Sequence, residues 1–298
     1  MITHGELTVR GRIREASNAV LYCSVVHQGR TAHCVYKPVA GERPLWDFPD
    51  GTLAQREVAA YEVSEATGWG LIPPTALREG PYGQGMCQLW IEPATEPEAG
   101  TPEEPEAGTR AGGAPAGGAP DQDSGGAVDP GGDGTDPARP LLALVEEDEP
   151  GPGWKAVAAA EVGEGRTALL VHADDARLRR LAVLDAVINN GDRKGGHLLP
   201  APDGRLYAID HGVTFHVEDK LRTLLWGWAG ERLTDEALEM LDRLAGALAE
   251  GAPLATRLAE LITPAETDAV RARVRELRHT RRHPEPSGQW PAIPWPPV

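Results

Sequence analysis

The chain has 298 residues, of which 45 are acidic and 29 are basic, so its formal net charge at pH 7 is −16. This excess of acidic groups argues against a general polyanion-binding protein and therefore against nucleic acid as a partner. A hydrophobic share of 41% and a charged share of 25% are typical of a soluble globular protein that buries a sizeable core.

The N-terminal part of the chain has a β-strand pattern interrupted by one helix. We predict strands at residues 6–13, 19–26 and 31–39, and a turn at Gln28-Gly29 would place Cys23 opposite Cys34 as buried thiols without a bridge. Residues 53–67 are predicted to form a helix that ends at Gly68, and 88–91 a last apolar strand.

Residues 93–140 form a segment of different composition, with 11 Gly, 9 Pro, no aromatic residue and a net charge of −8. Such a segment buries too little apolar surface to offset its chain entropy. We predict a disordered acidic insert here. Without it, 250 residues remain, and they carry the other −8 of the charge.

After the insert, the pattern changes to that of helices. Residues 174–188 have apolar side chains at helical spacing behind Asp174, a plausible N-cap, and 234–248 and 264–278 continue the pattern. We therefore expect an α+β protein with two lobes: a β-rich N-lobe at 1–92 and a mostly helical C-lobe at 141–282. A tail rich in Pro and Trp follows at 283–298, where Trp290 and Trp295 are expected to cover a surface.

The cysteine content and the N-terminal sequence predict a cytoplasmic protein. Three cysteines without metal-ligand spacing do not describe a disulfide framework. The N-terminus has no basic segment followed by an apolar one, and no apolar run approaches the roughly 18 residues of a membrane span. We expect no integral membrane segment.

The residues with the clearest chemical potential lie between the helix ending near Ile188 and a strand at 205–209. A hairpin turning on Asp203-Gly204 would pair residues whose numbers sum to 407, with His197 opposite Asp210. Asp192 precedes this hairpin in a Gly-rich loop. Two carboxylates and an imidazole at one loop are suited to a divalent-metal or acid–base site.

The same stretch resembles a kinase family. Asp192 is followed by Lys194 and His197, and then by Asp210-His-Gly212, as a kinase catalytic loop is followed by a metal-binding Asp-x-Gly. The Asn-Gly-Asp-Arg stretch and the Ile-Asp-x-Gly ending resemble the phosphatidylinositol 3-/4-kinase-like and HipA-like branches. The stretch from Lys220 to Gly230, which contains Trp-Gly-Trp, is similar to an uncharacterised actinobacterial group of such kinase-like proteins. The resemblance covers most of residues 1–250 outside the insert.

The resemblance implies a protein-kinase-like fold and a nucleotide site in the N-lobe. Lys37, at the end of the third strand, would contact the α- and β-phosphates of ATP and would be held by Glu57 on the inward side of the helix. The turn between the first two strands would cover the phosphates, and the interlobe hinge at 88–92 would meet the adenine. The further ATP-binding residues implied are Ser17, Asn18, Gln88 and Trp90.

For the C-lobe, the resemblance implies phosphate transfer to an alcohol. Asp210 would bind the metal, Asp192 would orient or deprotonate the acceptor hydroxyl, Lys194 would contact the γ-phosphate, and Arg193 would order the loop. The family has Asn where this chain has His197, and imidazole suits Mn²⁺ better than Mg²⁺. The implied cofactors are ATP with Mg²⁺ or Mn²⁺, and the acceptor is a protein Ser/Thr or a small hydroxyl compound of the inositol type.

Three alternatives share these residues. A nucleotide-binding pseudokinase would have lost transfer through His197 and would serve a regulatory role. A metal-dependent hydrolase would use Asp192, His197 and Asp210 without needing Lys37 or Glu57. Transfer of AMP in place of phosphate is also compatible with the same fold.

Overall fold

The computed structural model describes residues 1–13, 18–43, 45–94, 140–146, 149–161 and 166–297. Most of the predicted insert, residues 95–139, lies outside this range, as does Ser17. The described residues have the predicted α+β architecture, in which a β-rich N-terminal part is followed by a mainly helical part.

The first five strands form one antiparallel sheet in the order β1-β2-β3-β5-β4. Their bounds are β1 Glu6–Ile13, β2 Val20–His27, β3 Arg30–Pro38, β4 Thr75–Gly80 and β5 Gly83–Leu89. The first three strands confirm the predictions, and Cys23 pairs with Cys34 in the predicted register. Strand β4 was not predicted, and β5 begins well before the predicted strand at 88–91.

Glycine explains why β5 is hard to recognise, because glycine is depleted in strands. The Tyr36 ring of β3 lies over β5, and a Cβ added to Gly85 would come within 2.6 Å of that ring. The Tyr36 hydroxyl donates a hydrogen bond to the Gly83 carbonyl at 2.5 Å. The ring thus fills the space that side chains would occupy on an ordinary strand.

Helix α1, Leu53–Thr67, has the predicted bounds. Thr52 and Gln55 form a capping box at its start, and Gly68 ends it in a left-handed conformation with φ of 74°. The Glu42 carboxylate also accepts hydrogen bonds from the N–H groups of Leu53 and Ala54, at 2.9 and 2.8 Å. These contacts fix the helix that carries Glu57.

A three-stranded antiparallel sheet follows the insert, in a stretch for which no element was predicted. It has the order β6-β8-β7, with β6 Leu142–Val145, β7 Trp154–Glu161 and β8 Thr167–Ala173. Strand β7 is hard to recognise in the sequence because it is rich in alanine, which has the highest intrinsic helix propensity. Pairing with β8 along most of its length overrides that local preference.

The remaining elements build the C-terminal lobe. They are α2 Ala176–Ile188, a hairpin of β9 Leu198–Pro200 and β10 Leu206–Ala208, α3 Asp235–Ala247, α4 Pro253–Ala259 and α5 Pro264–Thr280. Asp175, not Asp174, caps α2 by accepting from the Arg177 N–H; Asp174 accepts from the Trp228 indole at 3.0 Å. Helix α4 was not predicted.

Helix α2 lies at the centre of the core, since nearly all of its residues are buried. Apolar side chains of α1, α3 and α5 pack in the same cluster, including Val58, Leu241 and Val274. No helix within the described part of the chain is long and apolar enough to cross a membrane.

Two buried histidines flank the buried Trp228, at centroid distances of 4.3 Å for His172 and 6.1 Å for His283. His172 Nε2 accepts a hydrogen bond from the Gly227 N–H, so its proton is on Nδ1, which donates to the Ala173 carbonyl. His283 Nε2 accepts from the Arg179 guanidinium at 3.3 Å. Both rings therefore act as acceptors and are neutral in this packing.

This cluster predicts a loss of stability in mild acid. Burial, together with the Arg179 cation, lowers the pKa of His283 from 6.5 to about 4, and burial also lowers the pKa of His172. The neutral rings contribute their full stabilisation of the fold above pH 6.5, and this contribution is lost as the pH falls toward 4. For His283 the loss in the free energy of unfolding is on the order of 2 kcal/mol. Urea unfolding at pH 7 and pH 5 measures it.

A matched pair of variants tests whether His283 causes the loss of stability in mild acid. His283→Gln keeps an acceptor for Arg179 but does not titrate, so its stability should fall less between pH 7 and pH 5 than that of the wild type. His279→Gln, at an exposed position on α5, should keep the wild-type pH dependence. An identical pH dependence in both variants would contradict the prediction.

Candidate active site

Three charged side chains from three separate elements meet at the junction of the lobes. The Lys37 ammonium at the end of β3 lies 2.7 Å from Glu57 Oε1 of α1 and 3.0 Å from Asp210 Oδ1, just after β10. Glu57 is buried, whereas 50% of the Asp210 side chain is exposed. Lys37 therefore links a buried carboxylate to one that faces the solvent.

The segment after β10 is held in place by its backbone. Asp210 has a φ of 62°, in the left-handed region that Asp tolerates better than most residues. The N–H of the next residue, His211, donates to Glu57 Oε2 at 2.9 Å. Glu57 thus fixes both Lys37 and the Asp210 segment, one with each carboxylate oxygen.

The ion pairs set the charge states of this group. Lys37 lowers the pKa of Asp210 well below its usual range, which outweighs the opposing effect of burial. Burial would lower the pKa of Lys37, but the carboxylates of Asp210 and Glu57 outweigh it and raise the pKa. At neutral pH, Asp210 is an anion available to a cation, and Lys37 is a cation available to an anion.

A buried ion pair supports the loop that carries Asp192. The Arg193 guanidinium donates to both oxygens of Asp185 on α2, each at 2.9 Å, and neither side chain is accessible to solvent. Arg193 also donates to the Ile209 carbonyl at 2.9 Å, directly before Asp210. One arginine therefore ties the Asp192 loop to α2 and to the Asp210 segment.

Two residues without a predicted role complete this support. Asn190 donates to Asp185 and accepts from the Asp192 N–H, both at 3.0 Å. His211 Nε2 lies 2.6 Å from Arg193 Nη2, and since arginine can only donate, Nε2 is the acceptor and Nδ1 carries the proton. The Asn next to the Asp192 loop is the sequence signal that could have identified Asn190, whereas no local pattern indicates this use of His211.

Asp192 is partly buried, with 28% of its side chain exposed, compared with 50% for Asp210. Lys194 Nζ contacts its Oδ2 at 3.0 Å. Burial raises the pKa of Asp192, and the charge of Asp210 raises it further, against the lowering effect of Lys194. Asp192 is therefore a better proton acceptor than an ordinary aspartate.

His197 reaches Asp210, but through a register different from the predicted one. The hairpin pairs Leu206 with Pro200, so paired numbers sum to 406 and not to 407. The five-residue loop from Ala201 to Arg205, closed by a hydrogen bond between these two residues, replaces the predicted two-residue turn. His197 Nε2 nevertheless lies 3.4 Å from Asp210 Oδ2.

The Asp210–His197 pair is chemically suited to one divalent cation. Burial lowers the pKa of His197 to about 4, so its imidazole is neutral at pH 7 and can donate a lone pair. Among the described residues no cluster of three or more His, Cys, Asp or Glu side chains forms a metal cage. Two protein donors fit a metal that completes its coordination with substrate phosphates and water.

The residues predicted for the nucleotide are held by contacts of their own. Gln88 is buried, its side chain donates to Thr75, and β5 is flanked by β3 and β4 at this position. Trp90 packs edge-on against Tyr22 at 5.1 Å, and Asn18 accepts from the Arg43 N–H at 3.0 Å. Any contact of the hinge backbone with an adenine therefore falls to residues after Trp90.

Comparison with known proteins identifies a close relative. The chain is 47% identical over 300 residues to "Protein Rv2133c" of Mycobacterium tuberculosis, an alignment that covers 99% of this chain and 94% of the relative. The chain belongs to the Rv2133c family. No family model matches the sequence.

Solved structures share only distant similarity with this member of the Rv2133c family. The Golgi casein kinase structure has a TM-score of 0.46 at 12% identity, and the match covers 94% of this chain and 73% of the kinase. A second structure of that kinase, with Mn/ADP bound, has a TM-score of 0.47 at 12% identity, and the match covers 100% of this chain and 78% of the kinase. The Helicobacter pylori proinflammatory kinase CtkA has a TM-score of 0.41 at 9% identity, covering 94% of each chain. The chemistry of the site therefore rests on its own residues.

Proposed function

We propose that the protein is an ATP- and divalent-metal-dependent phosphotransferase that moves the γ-phosphate of ATP to an alcohol. The observation that supports this most directly is the joint contact of Lys37 with Glu57 and Asp210, next to the supported Asp192 loop. A metal-dependent hydrolase would have no need for this lysine or for its buried carboxylate partner. The resemblance to phosphatidylinositol 3-/4-kinase-like and HipA-like proteins is part of the same proposal.

In this proposal, the phosphates of ATP lie beside the Lys37–Asp210 ion pair. The Lys37 ammonium, oriented by Glu57, contacts the α- and β-phosphates and neutralises part of their charge. Asp210 and His197 would hold the metal, which would supply positive charge to offset that of the phosphates. Asn18 belongs to the turn that would cover the phosphates, and the residues that follow Trp90 would meet the adenine.

The transfer itself needs a base and a cation near the acceptor. Asp192 accepts the proton of the acceptor hydroxyl as its oxygen bonds to the γ-phosphorus, and the bond from that phosphorus to the β-bridging oxygen breaks to release ADP. Lys194, 3.0 Å from Asp192, stabilises the charge on the γ-phosphoryl oxygens. Arg193 stays buried and positions the loop.

Replacing Lys37 by methionine should weaken nucleotide binding, since methionine keeps the length of the side chain but removes its charge. Calorimetric titration with ADP and Mn²⁺ measures this, and we expect at least a tenfold weaker affinity in Lys37→Met. Lys155→Met is the matched control, because Lys155 also lies on a strand and pairs with a glutamate, Glu231, at 2.6 Å. Equal affinity of Lys37→Met and wild type would contradict the proposal.

A pseudokinase is the second candidate, and one observation favours it. His197 occupies the position where the resemblance implies a metal-binding Asn, and an imidazole is a poorer ligand for Mg²⁺ than an amide oxygen. A pseudokinase would bind ADP in a Lys37-dependent way but transfer no label from γ-labelled ATP to any acceptor. Label transfer supported by either Mg²⁺ or Mn²⁺ would exclude this candidate.

A further inference from the structure

The C-terminal tail, residues 283–297, lies against the segments that border Asp192. The Pro297 carbonyl accepts a hydrogen bond from the Gly195 N–H at 2.9 Å, three residues after Asp192. The Ala292 carbonyl accepts from the Thr223 N–H at 3.0 Å and from the Trp226 indole at 2.8 Å. The tail thus spans both the Asp192 loop and the segment at 222–226.

These two segments are themselves joined, so the tail covers one continuous surface. The Arg193 N–H donates to the Arg222 carbonyl at 3.0 Å, and the Arg222 N–H donates to the Asn190 carbonyl at 2.9 Å. An extended polypeptide lying beside Asp192 on this surface would use the exposed backbone donors of the same segments. At Gly195 and Thr223 the tail has already taken those donors.

A third contact anchors the tail. The Lys220 ammonium lies 3.5 Å from the centroid of the Trp290 ring, and Lys220 itself is buried. A desolvated cation–π contact of this kind is among the stronger ones. Pro294 is buried as well, whereas 83% of Trp295 is exposed, so Trp290 covers a surface as expected and Trp295 does not.

The composition of the tail suits a fixed cover better than a substrate. Residues 288–298 contain no Ser, Thr or Tyr, so this stretch has no hydroxyl that could accept a phosphate. Four of its residues are proline, which fixes φ and reduces the entropy lost on docking. Residues 288–297 of the tail therefore lie on the acceptor side without being able to react there.

From these contacts we infer that the tail is a specificity element that excludes polypeptide acceptors and limits the enzyme to small hydroxyl compounds. This inference rests on the proposed phosphotransferase function, and it names the acceptor class of the same site. A chain that extends in both directions from its hydroxyl would collide with the tail.

The test weakens the tail anchor in the full-length chain. Trp290→Ser removes the ring from Lys220, and Trp295→Ser is the matched control at an exposed position of the same tail. Amide hydrogen exchange at Gly195 and Thr223 reports whether the tail is released. We expect at least tenfold faster exchange in Trp290→Ser and wild-type exchange in Trp295→Ser.

Acceptor use is then measured with γ-labelled ATP and Mn²⁺, with dephosphorylated β-casein as an unfolded polypeptide and myo-inositol as a small polyol. We expect casein labelling to rise at least tenfold in Trp290→Ser over wild type and control, with the labelling of myo-inositol unchanged. Equal casein labelling in wild type and Trp290→Ser, zero included, overturns the inference once exchange shows that the tail is released. Lys220→Met removes the cation from the same Lys220–Trp290 contact, and it replaces Trp290→Ser in the test if that variant does not fold.

Failure of the proposed function would have a different signature. If the wild type did not bind ADP with Mn²⁺, the phosphotransferase proposal would fall. The protection of Gly195 and Thr223 in the wild type would still report the docking of the tail. Unprotected amides at these two residues in the wild type, with ADP bound normally, would overturn the inference alone.

Discussion

Replacing Arg193 by methionine is expected to lower the free energy of unfolding by about 3–5 kcal/mol, one of the largest effects available to a single substitution in this chain. The loss arises because Asp185 would remain as a buried carboxylate without its guanidinium partner. Asn190 would still donate one hydrogen bond to it, which offsets only part of the cost. Urea unfolding at pH 7 measures the change.

Two further variants separate the effect of the unpaired buried charge on stability from the effect of losing an arginine side chain. Arg205→Met removes an arginine of which 64% is exposed and whose partner Asp203 is half-exposed, so its effect should stay within about 1 kcal/mol. The double variant Asp185→Leu with Arg193→Met removes both charges and should recover a large part of the stability. A double variant no more stable than Arg193→Met would show that the unpaired carboxylate is not the cause.

The sheet of the N-lobe was predictable because its determinants are local. Alternating side chains and a Gln28-Gly29 turn define β2 and β3, and their register follows from the turn. Helix α1 carries its own start signal in Thr52 and its own stop signal in Gly68. The same argument explains why Glu57 was correctly expected on the side of α1 that meets Lys37.

The β6–β8 sheet was not predictable because its determinants are distant in the chain. Strand β6 follows the long insert, and the alanines of β7 favour a helix until β8 pairs with them. Strand order and pairing thus decide the structure here, and a single sequence does not display them. The tail contacts, which join Gly195 to Pro297, belong to the same category.

His197 and Asp210 are in contact although the register of their hairpin differs from the predicted one. A shift by one residue moves every side chain of a regular strand to the opposite face. Asp210, however, lies beyond the last paired residue of β10, and its positive φ redirects the chain. His197 and Asp210 therefore meet although the predicted pairing was wrong.

Replacing Asp192 by asparagine is expected to reduce the rate of phosphate transfer by about 100- to 10,000-fold while ADP and Mn²⁺ still bind with wild-type affinity. The reason is the role proposed for this carboxylate, which would accept the hydroxyl proton but touch neither the adenine nor the α- and β-phosphates. Its raised pKa and its contact with Lys194 agree with a base near the transferring group. Asparagine keeps the size of the side chain but accepts no proton.

The test measures both turnover and nucleotide binding, because a loss of turnover without a loss of ADP affinity distinguishes a base from a binding residue. Turnover of γ-labelled ATP gives the rate, and calorimetry with ADP and Mn²⁺ gives the affinity. Asp203→Asn, in the exposed hairpin loop, is the matched control and should leave both unchanged. Equal turnover in Asp192→Asn and wild type would remove Asp192 from the proposed mechanism, and a parallel loss of ADP affinity would make it a binding residue and not the base.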